Sequence, residues 1–171
     1  MKKCFLFILM LMLSLANYAQ LTITDDNFYY HEGYFPDFSF GSGMFVSAKD
    51  KNSLSGDIEI PAYVTYQGKK YTVIGVDYEG FASTKITSVV IPNTVLEIGV
   101  NAFRDCPNLK KVVLSSRIYR LRGAIFIGSS NLKEIVSRMY YPSPIVEDQW
   151  MKEYGINATI YVPKGLSLIH I

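Results

Sequence analysis

The sequence has few of the residues that build covalent cross-links and metal centres. It contains 2 cysteines and 2 histidines in 171 residues. Cys4 lies in an N-terminal segment that we assign below to a cleaved leader, which leaves Cys106 alone in the mature chain. A single cysteine excludes an intrachain disulfide and a cysteine-based zinc cluster. Phosphate-binding loops, dinucleotide fingerprints and metal-ligand spacings are also missing, so we expect neither a cofactor nor a bound metal.

An excess of charge of one sign is missing as well. The chain has 17 basic and 15 acidic residues, and losing Lys2 and Lys3 with the leader lowers the first count from 17 to 15. The mature protein is therefore close to neutral. Since a basic field is what attracts nucleic acids and anionic membranes, neither is an expected partner.

Long apolar runs are missing beyond the N-terminus. There, a basic pair precedes the apolar run Cys4–Leu15 and the small residues Ala16–Ala19. This order is typical of a secretory signal peptide. The run is shorter than the roughly 20 residues that cross a membrane. We therefore assign residues 1–19 to a signal peptide, expect cleavage near Ala19, and predict a secreted or cell-surface protein with no membrane span in the mature chain.

The last six residues follow no pattern found elsewhere in the chain. Residues 166–171 read LSLIHI. This string resembles the in-frame translation of an adaptor used in sequencing libraries, and we exclude it from the fold. A natural C-terminal end is the alternative interpretation.

A repeat of about 23 residues dominates the rest of the sequence. Residues 71–92, 94–115 and 117–137 align. Each segment ends in an apolar–x–apolar alternation, which is typical of a strand with one buried face. One strand and one return cannot bury that face alone, so the units must stack. The aligned apolar columns are Ile74, Ile98, Leu121; Phe81, Phe103, Phe126; Ile86, Leu109, Leu132; and Val89, Val112, Ile135.

The repeat resembles a known family. Residues 91–109 read IPNTVLEIGVNAFRDCPNL, which is similar to the BspA-like (Treponema-type) leucine-rich repeat, IPxxVxxIGxxAFxxCxxL. The resemblance implies a strand-rich α/β fold, in which a leucine-rich-repeat right-handed solenoid carries a parallel sheet along one side. The chain departs from the pattern at Gly80, Arg122 and Ser129, where the family usually has alanine, glycine and cysteine.

The segments that flank the repeats are interpreted as caps. Residues 20–70 are predicted to form an N-terminal β cap, and residues 71–165 the repeats with a C-terminal cap. Where the first cap meets the repeats, Asp57–Ile60, Tyr63–Tyr66 and Tyr71–Ile74 are expected to form a hairpin through a turn at Gln67-Gly68-Lys69.

Further strands and one helix are predicted outside the hairpin. Asn27–Gly33 and Met44–Ala48 have the pattern of strands. Towards the C-terminus, a short helix is predicted at Val146–Tyr154, with Trp150 filling the space that phenylalanine takes in the inner repeats. Ala158–Pro163 repeats the sequence pattern of Thr87–Pro92, and we predict that it adds a fourth strand to the repeats.

Residues with catalytic chemistry are interpreted structurally. The column Phe81, Phe103 and Phe126 is typical of a solenoid core rather than an aromatic binding box. Cys106 is expected to be a packed, inert thiol because no histidine in the repeats activates it. His31 beside Glu32 lacks an accompanying nucleophile signature. The carboxylate pairs Asp25-Asp26 and Glu147-Asp148 fit solvated turns or helix caps. We therefore expect no enzyme activity.

The outer face of the repeat strands offers a candidate binding surface. In each strand, the residue between the inward-facing positions points out: Val90, Val113, Val136 and Tyr161. Beside them lie Ser88, Lys111, Glu134 and Thr159. An apolar stripe edged by polar groups is a candidate partner-binding surface, although valine at these positions is equally explained by strand propensity. The predicted partner-binding residues are Val90, Lys111, Val113, Glu134, Val136 and Tyr161.

The resemblance implies a bacterial surface protein that mediates adhesion or protein–protein interaction with an extracellular or host protein. Two alternatives stay open. One is a carbohydrate-binding module that takes a glycan on exposed tyrosines. The other is an accessory region of a secreted enzyme whose catalytic domain is not in this sequence. The tyrosines considered for glycan stacking are Tyr34, Tyr140, Tyr141 and Tyr161.

Overall fold

The computed structural model describes residues 20–34, 42–139 and 156–163. These residues contain twelve strands and no helix. The predicted leader, the predicted helix at Val146–Tyr154, and Trp150 lie outside the described residues. The strands are β1 (Thr22–Thr24), β2 (Phe28–Tyr34), β3 (Ser42–Ala48), β4 (Ser55–Glu59), β5 (Tyr63–Tyr66), β6 (Lys69–Val76), β7 (Lys85–Val90), β8 (Glu97–Ile98), β9 (Lys111–Leu114), β10 (Arg120–Leu121), β11 (Glu134–Ser137) and β12 (Thr159–Tyr161).

The first sheet has five strands in the order β12-β11-β9-β7-β4, and all of its pairings are parallel. Lys111 aligns with Ser88 and Glu134 aligns with Lys111, so each residue lies beside its equivalent in the preceding repeat. Thr159 aligns with Glu134, which confirms the predicted fourth strand.

The N-terminal strand of this sheet corrects one prediction. We grouped Asp57–Ile60 with the hairpin, but β4 pairs in parallel with β7, and Ile58 aligns with Val89. The alternating exposure of β4 fits a strand with one buried face as well as it fits a hairpin arm, so the pattern alone could not choose the partner. The hairpin therefore consists of β5 and β6.

The second sheet has seven strands, with β1-β2-β3-β6-β8-β10 in order and β5 paired to β6. The predicted strands at Asn27–Gly33 and Met44–Ala48 are confirmed as β2 and β3, which pair antiparallel. From β3 onwards the order β3-β6-β8-β10 is parallel. The second sheet thus joins the N-terminal strands to the repeats.

In one predicted column the first member, Ile74, is wrong by two residues, whereas the other two are confirmed. Val76, not Ile74, aligns with Ile98, and Ile98 aligns with Leu121. The register between β3 and β6 shifts at this point. Met44 pairs with Val73, but the next residue, Phe45, pairs with Gly75, so Ile74 is skipped. This bulge adds a residue to β6, and Ile74 packs in a separate apolar cluster with Leu96 and Phe45.

The β5–β6 hairpin closes through the predicted turn. Gln67 and Gly68 both have positive φ, at 50° and 75°. Two central residues with positive φ are typical of a type I′ turn, whose twist matches that of a two-residue hairpin. Tyr66 and Lys69 flank the turn as paired residues.

The phenylalanine column forms the interior between the sheets. The ring centroids of Phe81 and Phe103 lie 5.5 Å apart and those of Phe103 and Phe126 lie 5.8 Å apart, with interplanar angles of 12° and 22°. All three side chains are buried. Phe28 covers the N-terminal end, because its ring meets Phe81 edge-on at 6.0 Å. The predicted core column is therefore confirmed.

The segments that carry these phenylalanines are turns that hydrogen-bond from repeat to repeat. The Phe81 amide donates to the Ala102 carbonyl at 2.8 Å, and the Phe103 amide donates to the Ile125 carbonyl at 2.9 Å. Each turn has a left-handed residue two positions before and two positions after the phenylalanine. These residues are Glu79 (φ 49°), Asn101 (φ 58°) and Ala124 (φ 59°) before it, and Ser83 (φ 64°), Asp105 (φ 52°) and Gly128 (φ 76°) after it.

A small polar side chain stands three residues after each phenylalanine. The Thr84 hydroxyl and the Cys106 thiol donate to the Phe81 carbonyl at 2.8 Å and 3.1 Å. The Ser129 hydroxyl donates to the Phe103 carbonyl at 2.7 Å. Serine thus replaces the family's cysteine without losing the internal donor. Burial raises the pKa of the Cys106 thiol, which agrees with the predicted inert role.

Truncating the central ring tests the column. Phe103→Ala is expected to lower the free energy of unfolding by about 3–5 kcal/mol, because it leaves a cavity between two stacked rings. Urea unfolding followed by circular dichroism measures the change. A loss below about 1 kcal/mol would contradict the position of Phe103 as the centre of the interior.

The left-handed turn positions give a second test, with a gain in stability. Ala124→Asn is expected to raise the free energy of unfolding by roughly 1 kcal/mol, because asparagine tolerates the left-handed conformation that costs alanine about that much. Gly128→Ala is the opposite change: it places a Cβ at positive φ and against the Asp105 carboxylate, and it is expected to destabilise. Thermal unfolding of both variants checks the prediction, and equal signs would refute it.

Candidate interaction surface

The outer face of the five-stranded sheet carries two adjacent rows of side chains, each contributed one residue at a time by successive strands. All six predicted partner-binding residues lie in these rows, and β4 adds Asp57 and Glu59. The apolar row consists of Val90, Val113, Val136 and Tyr161, and Glu59 of β4 extends it at one end. The polar row is Asp57, Ser88, Lys111, Glu134 and Thr159.

Exposure varies along the apolar row. Tyr161 is 51% exposed, whereas Val113 in the middle of the sheet is only 9% exposed. Val90 and Val136 are half-buried. A central strand is flanked by side chains on both sides, which covers a short residue such as valine. Contact with a large partner would therefore be made mostly through the end of the row at Tyr161 and through the polar row.

Two predicted residues of the polar row form an ion pair. The Lys111 ammonium lies 3.0 Å from the Glu134 carboxylate, and their side chains are 47% and 43% exposed. An exposed pair of this kind contributes at most about 1 kcal/mol to stability. Its charges can therefore exchange their mutual contact for contacts with a partner at little cost.

Asp57 ends the polar row and is held by hydroxyl donors. Thr87 donates to its carboxylate at 2.5 Å and Ser88 at 2.8 Å. These hydrogen bonds, with a smaller contribution from Lys110, lower the pKa of Asp57 below its usual value. Asp57 is not among the predicted partner-binding residues, because its segment was predicted to belong to the hairpin.

His31 is paired with a carboxylate, but not with the one next to it in sequence. Its Nε2 lies 2.7 Å from the Asp77 carboxylate. The imidazole also stacks on Phe45 with centroids 5.8 Å apart. Among the described residues, no serine or cysteine side chain bonds to His31. The pair therefore joins β2 to the end of β6 and supplies no nucleophile–base arrangement.

The paired carboxylates are described only in part. The Asp25 carboxylate accepts hydrogen bonds from the amides of Asn27 at 2.9 Å and Phe28 at 2.7 Å, which is the turn that we predicted. Glu147-Asp148 lies outside the described residues, as do Tyr140, Tyr141 and the Tyr34 side chain.

The second sheet carries a charged cluster that was not predicted from the sequence. The Glu97 side chain is 10% exposed and accepts from the Arg122 Nε at 2.8 Å, while an Arg120 guanidinium nitrogen lies 3.5 Å away. The departure of Arg122 from the family's glycine was the available signal. Two arginines around one nearly buried carboxylate satisfy its charge.

The part of the chain that the structure describes contains no helix with the length and hydrophobicity to span a membrane. It also contains no group of three or more histidine, cysteine, aspartate or glutamate residues placed to bind a metal ion.

Comparison with protein families agrees with this architecture. The model of the BspA type leucine rich repeat region matches residues 57–141 in 6 copies. The match begins at Asp57, in the strand that the structure adds to the repeat sheet. No curated protein matches the chain.

Solved structures share the fold. A leucine-rich repeat protein from Bacteroides capillosus is 24% identical with a TM-score of 0.57, covering 83% of this chain and 98% of that one. One from Bacteroides ovatus is 21% identical with a TM-score of 0.52, covering 84% of this chain and 38% of its own. A leucine rich cell surface protein from Faecalibacterium prausnitzii is 19% identical with a TM-score of 0.50, covering 88% and 45%. At these identities the likeness shows the fold alone.

The hydroxyl donors to Asp57 predict a pH effect. Because folding lowers the pKa of Asp57, its ionised carboxylate stabilises the fold above the unfolded-state pKa, and this contribution is lost as the pH falls through the folded-state pKa. Combining Thr87→Val with Ser88→Ala is expected to raise the pKa of Asp57 towards its usual value. A carbon-detected NMR titration of the side-chain carboxyl measures the shift, with Asp26 as the internal control. An unchanged titration of Asp57 would refute the assignment.

Proposed function

We infer function from family membership: this chain belongs to the BspA-type leucine-rich repeat family, and we propose that it is an interaction protein that binds a protein partner. The observation that carries the proposal is the register of the five-stranded sheet, which aligns Lys111 with Glu134 and Val113 with Val136. One broad face, assembled from successive repeats, suits recognition of an extended protein surface. On this proposal the chain is not an enzyme.

The two sheets are proposed to be the walls of a right-handed solenoid. The chain passes from β7 through β8 in the second sheet and returns as β9, which pairs with β7 in parallel. Crossover connections between parallel strands are right-handed in about 98% of cases. This handedness follows from the twist of the strands and would place every repeat on the same helical path.

The binding surface is proposed to combine an aromatic anchor with exchangeable charges. Five strands at about 4.8 Å spacing give each row a length of roughly 19 Å, which matches a short extended segment or the side of a helix. Tyr161 supplies a large, exposed ring of the kind that interfaces favour. The Lys111–Glu134 pair supplies charges of both signs for orientation.

The protein is proposed to act outside the cell, with a host or other extracellular protein as its partner. A structure that shares its fold is described as a leucine rich cell surface protein. The predicted signal peptide at residues 1–19 supports export. Adhesion is the proposed role of such an interaction.

Exchanging the ion pair tests the surface. The double substitution Lys111→Glu with Glu134→Lys keeps the pair and the net charge but reverses the charge pattern that a partner meets. Binding to a panel of purified extracellular-matrix proteins, measured by biolayer interferometry, is expected to weaken at least about tenfold, because like charges face each other across the interface. Stability should change by less than about 0.5 kcal/mol.

A tyrosine comparison provides the matched control. Tyr161→Ala is expected to weaken the same interaction, whereas Tyr78→Ala, at a ring that is 63% exposed after β6, should leave it unchanged. If the folded exchange variant and Tyr161→Ala both bind the panel as the native protein does, the proposed surface is wrong.

A further inference from the structure

The β5–β6 hairpin concentrates aromatic and basic side chains. Between Tyr63 and Val76 the sequence contains three tyrosines and two lysines but no aspartate or glutamate. Tyr63 is 46% exposed and Tyr66 is 38% exposed. The hairpin therefore carries a local positive charge on a chain whose basic and acidic residues nearly balance.

The two lysines are held against ring faces instead of carboxylates. The Lys70 ammonium lies 3.6 Å from the centroid of the Tyr63 ring, and the Lys69 ammonium lies 4.9 Å from the centroid of Tyr71. Neither lysine forms an ion pair with any residue that the structure describes. A cation–π contact fixes an ammonium group without neutralising it, so both positive charges stay available to an anion.

The hairpin is also a firm support. Its two strands are paired from Tyr63 opposite Thr72 to Tyr66 opposite Lys69, and the Gln67-Gly68 turn connects them. Val64 and Tyr71 pack against the main apolar core, which anchors the inner side. Residues already held in position lose little conformational entropy when a ligand binds.

We propose that this hairpin binds an acidic polysaccharide, one that carries carboxylate or sulfate groups. Lys70 and Tyr63 share one face of the hairpin, and Lys69 and Tyr66 share the other. Both lysines directly follow the Gln67-Gly68 turn, so an extended polyanion that crosses the hairpin at this turn can contact both charges. The apolar C–H faces of its sugar rings can pack on the exposed ring of Tyr66, or on the face of Tyr63 that Lys70 does not cover. Nucleic acids draw on a larger set of basic contacts than two lysines provide. The hairpin belongs to neither row of the five-stranded sheet, so this site is independent of the proposed protein-binding surface.

Removing the two charges tests the site. Size-defined heparin oligosaccharides serve as the probe, and calorimetric titration at several NaCl concentrations measures Kd. Lys69→Gln with Lys70→Gln is expected to weaken binding at least about tenfold and to reduce the dependence of log Kd on log [NaCl] by one to two charges. The matched control, Lys110→Gln with Lys133→Gln, removes the same charge from exposed positions elsewhere and should change Kd less than twofold. Equal losses in both variants would overturn the proposal.

Removing the rings at constant charge separates glycan recognition from simple charge attraction. Tyr63→Leu with Tyr66→Leu is expected to weaken heparin binding at least about fivefold in a protein with an unchanged circular dichroism spectrum. Neutral dextran, a DNA duplex and phosphatidylserine vesicles are tested beside heparin and should bind at least tenfold more weakly. The proposal is overturned if native protein does not bind heparin, if the leucine variant binds it normally, or if DNA or vesicles bind as tightly.

Discussion

The stacking of Phe81, Phe103 and Phe126 is the contact on which the positions of the other repeat residues depend. The rings of successive repeats lie 5.5 Å and 5.8 Å apart, so each repeat contributes one ring to the column. The turns that carry them are joined by backbone hydrogen bonds, and the strands on both sides pair in parallel. An interior ring thus sets the spacing, while the hydrogen bonds set the register. Because a repeat cannot bury its own ring, stability and surface pattern arise together.

The repeat period was sufficient to predict four of the five strands of the first sheet, β7, β9, β11 and β12, whereas β4 was assigned to the hairpin. The second and third units have the same number of residues between the phenylalanine and the strand, and the first unit has one residue fewer. Equivalent residues therefore align across β7, β9 and β11. The second sheet was harder. A bulge at the junction of β3 and β6 turns Ile74 away from the interior and gives its place to Val76. An apolar column cannot reveal such an inserted residue, because isoleucine fits both faces.

The candidate surface was also predicted in part from the sequence. The six selected residues lie in two adjacent rows, since strand alternation determines which side chains point outward. Asp57 and Glu59 were missed because local pattern does not show which strand β4 pairs with. The His31–Asp77 pair and the Glu97 cluster join residues far apart in sequence, and single-sequence reasoning has no means of matching them. The placement of Lys69 and Lys70 over tyrosine rings likewise depends on side-chain conformation, which the sequence does not show.

Successive repeats superpose in register around the column of Phe81, Phe103 and Phe126. Nuclear Overhauser effects between ring protons, in protein labelled only at phenylalanine, measure this directly. We expect contacts from Phe81 to Phe103 and from Phe103 to Phe126, an edge contact from Phe28 to Phe81, and none from Phe81 to Phe126. A spectrum in which Phe103 contacts neither neighbour, or in which Phe81 contacts Phe126, would contradict it.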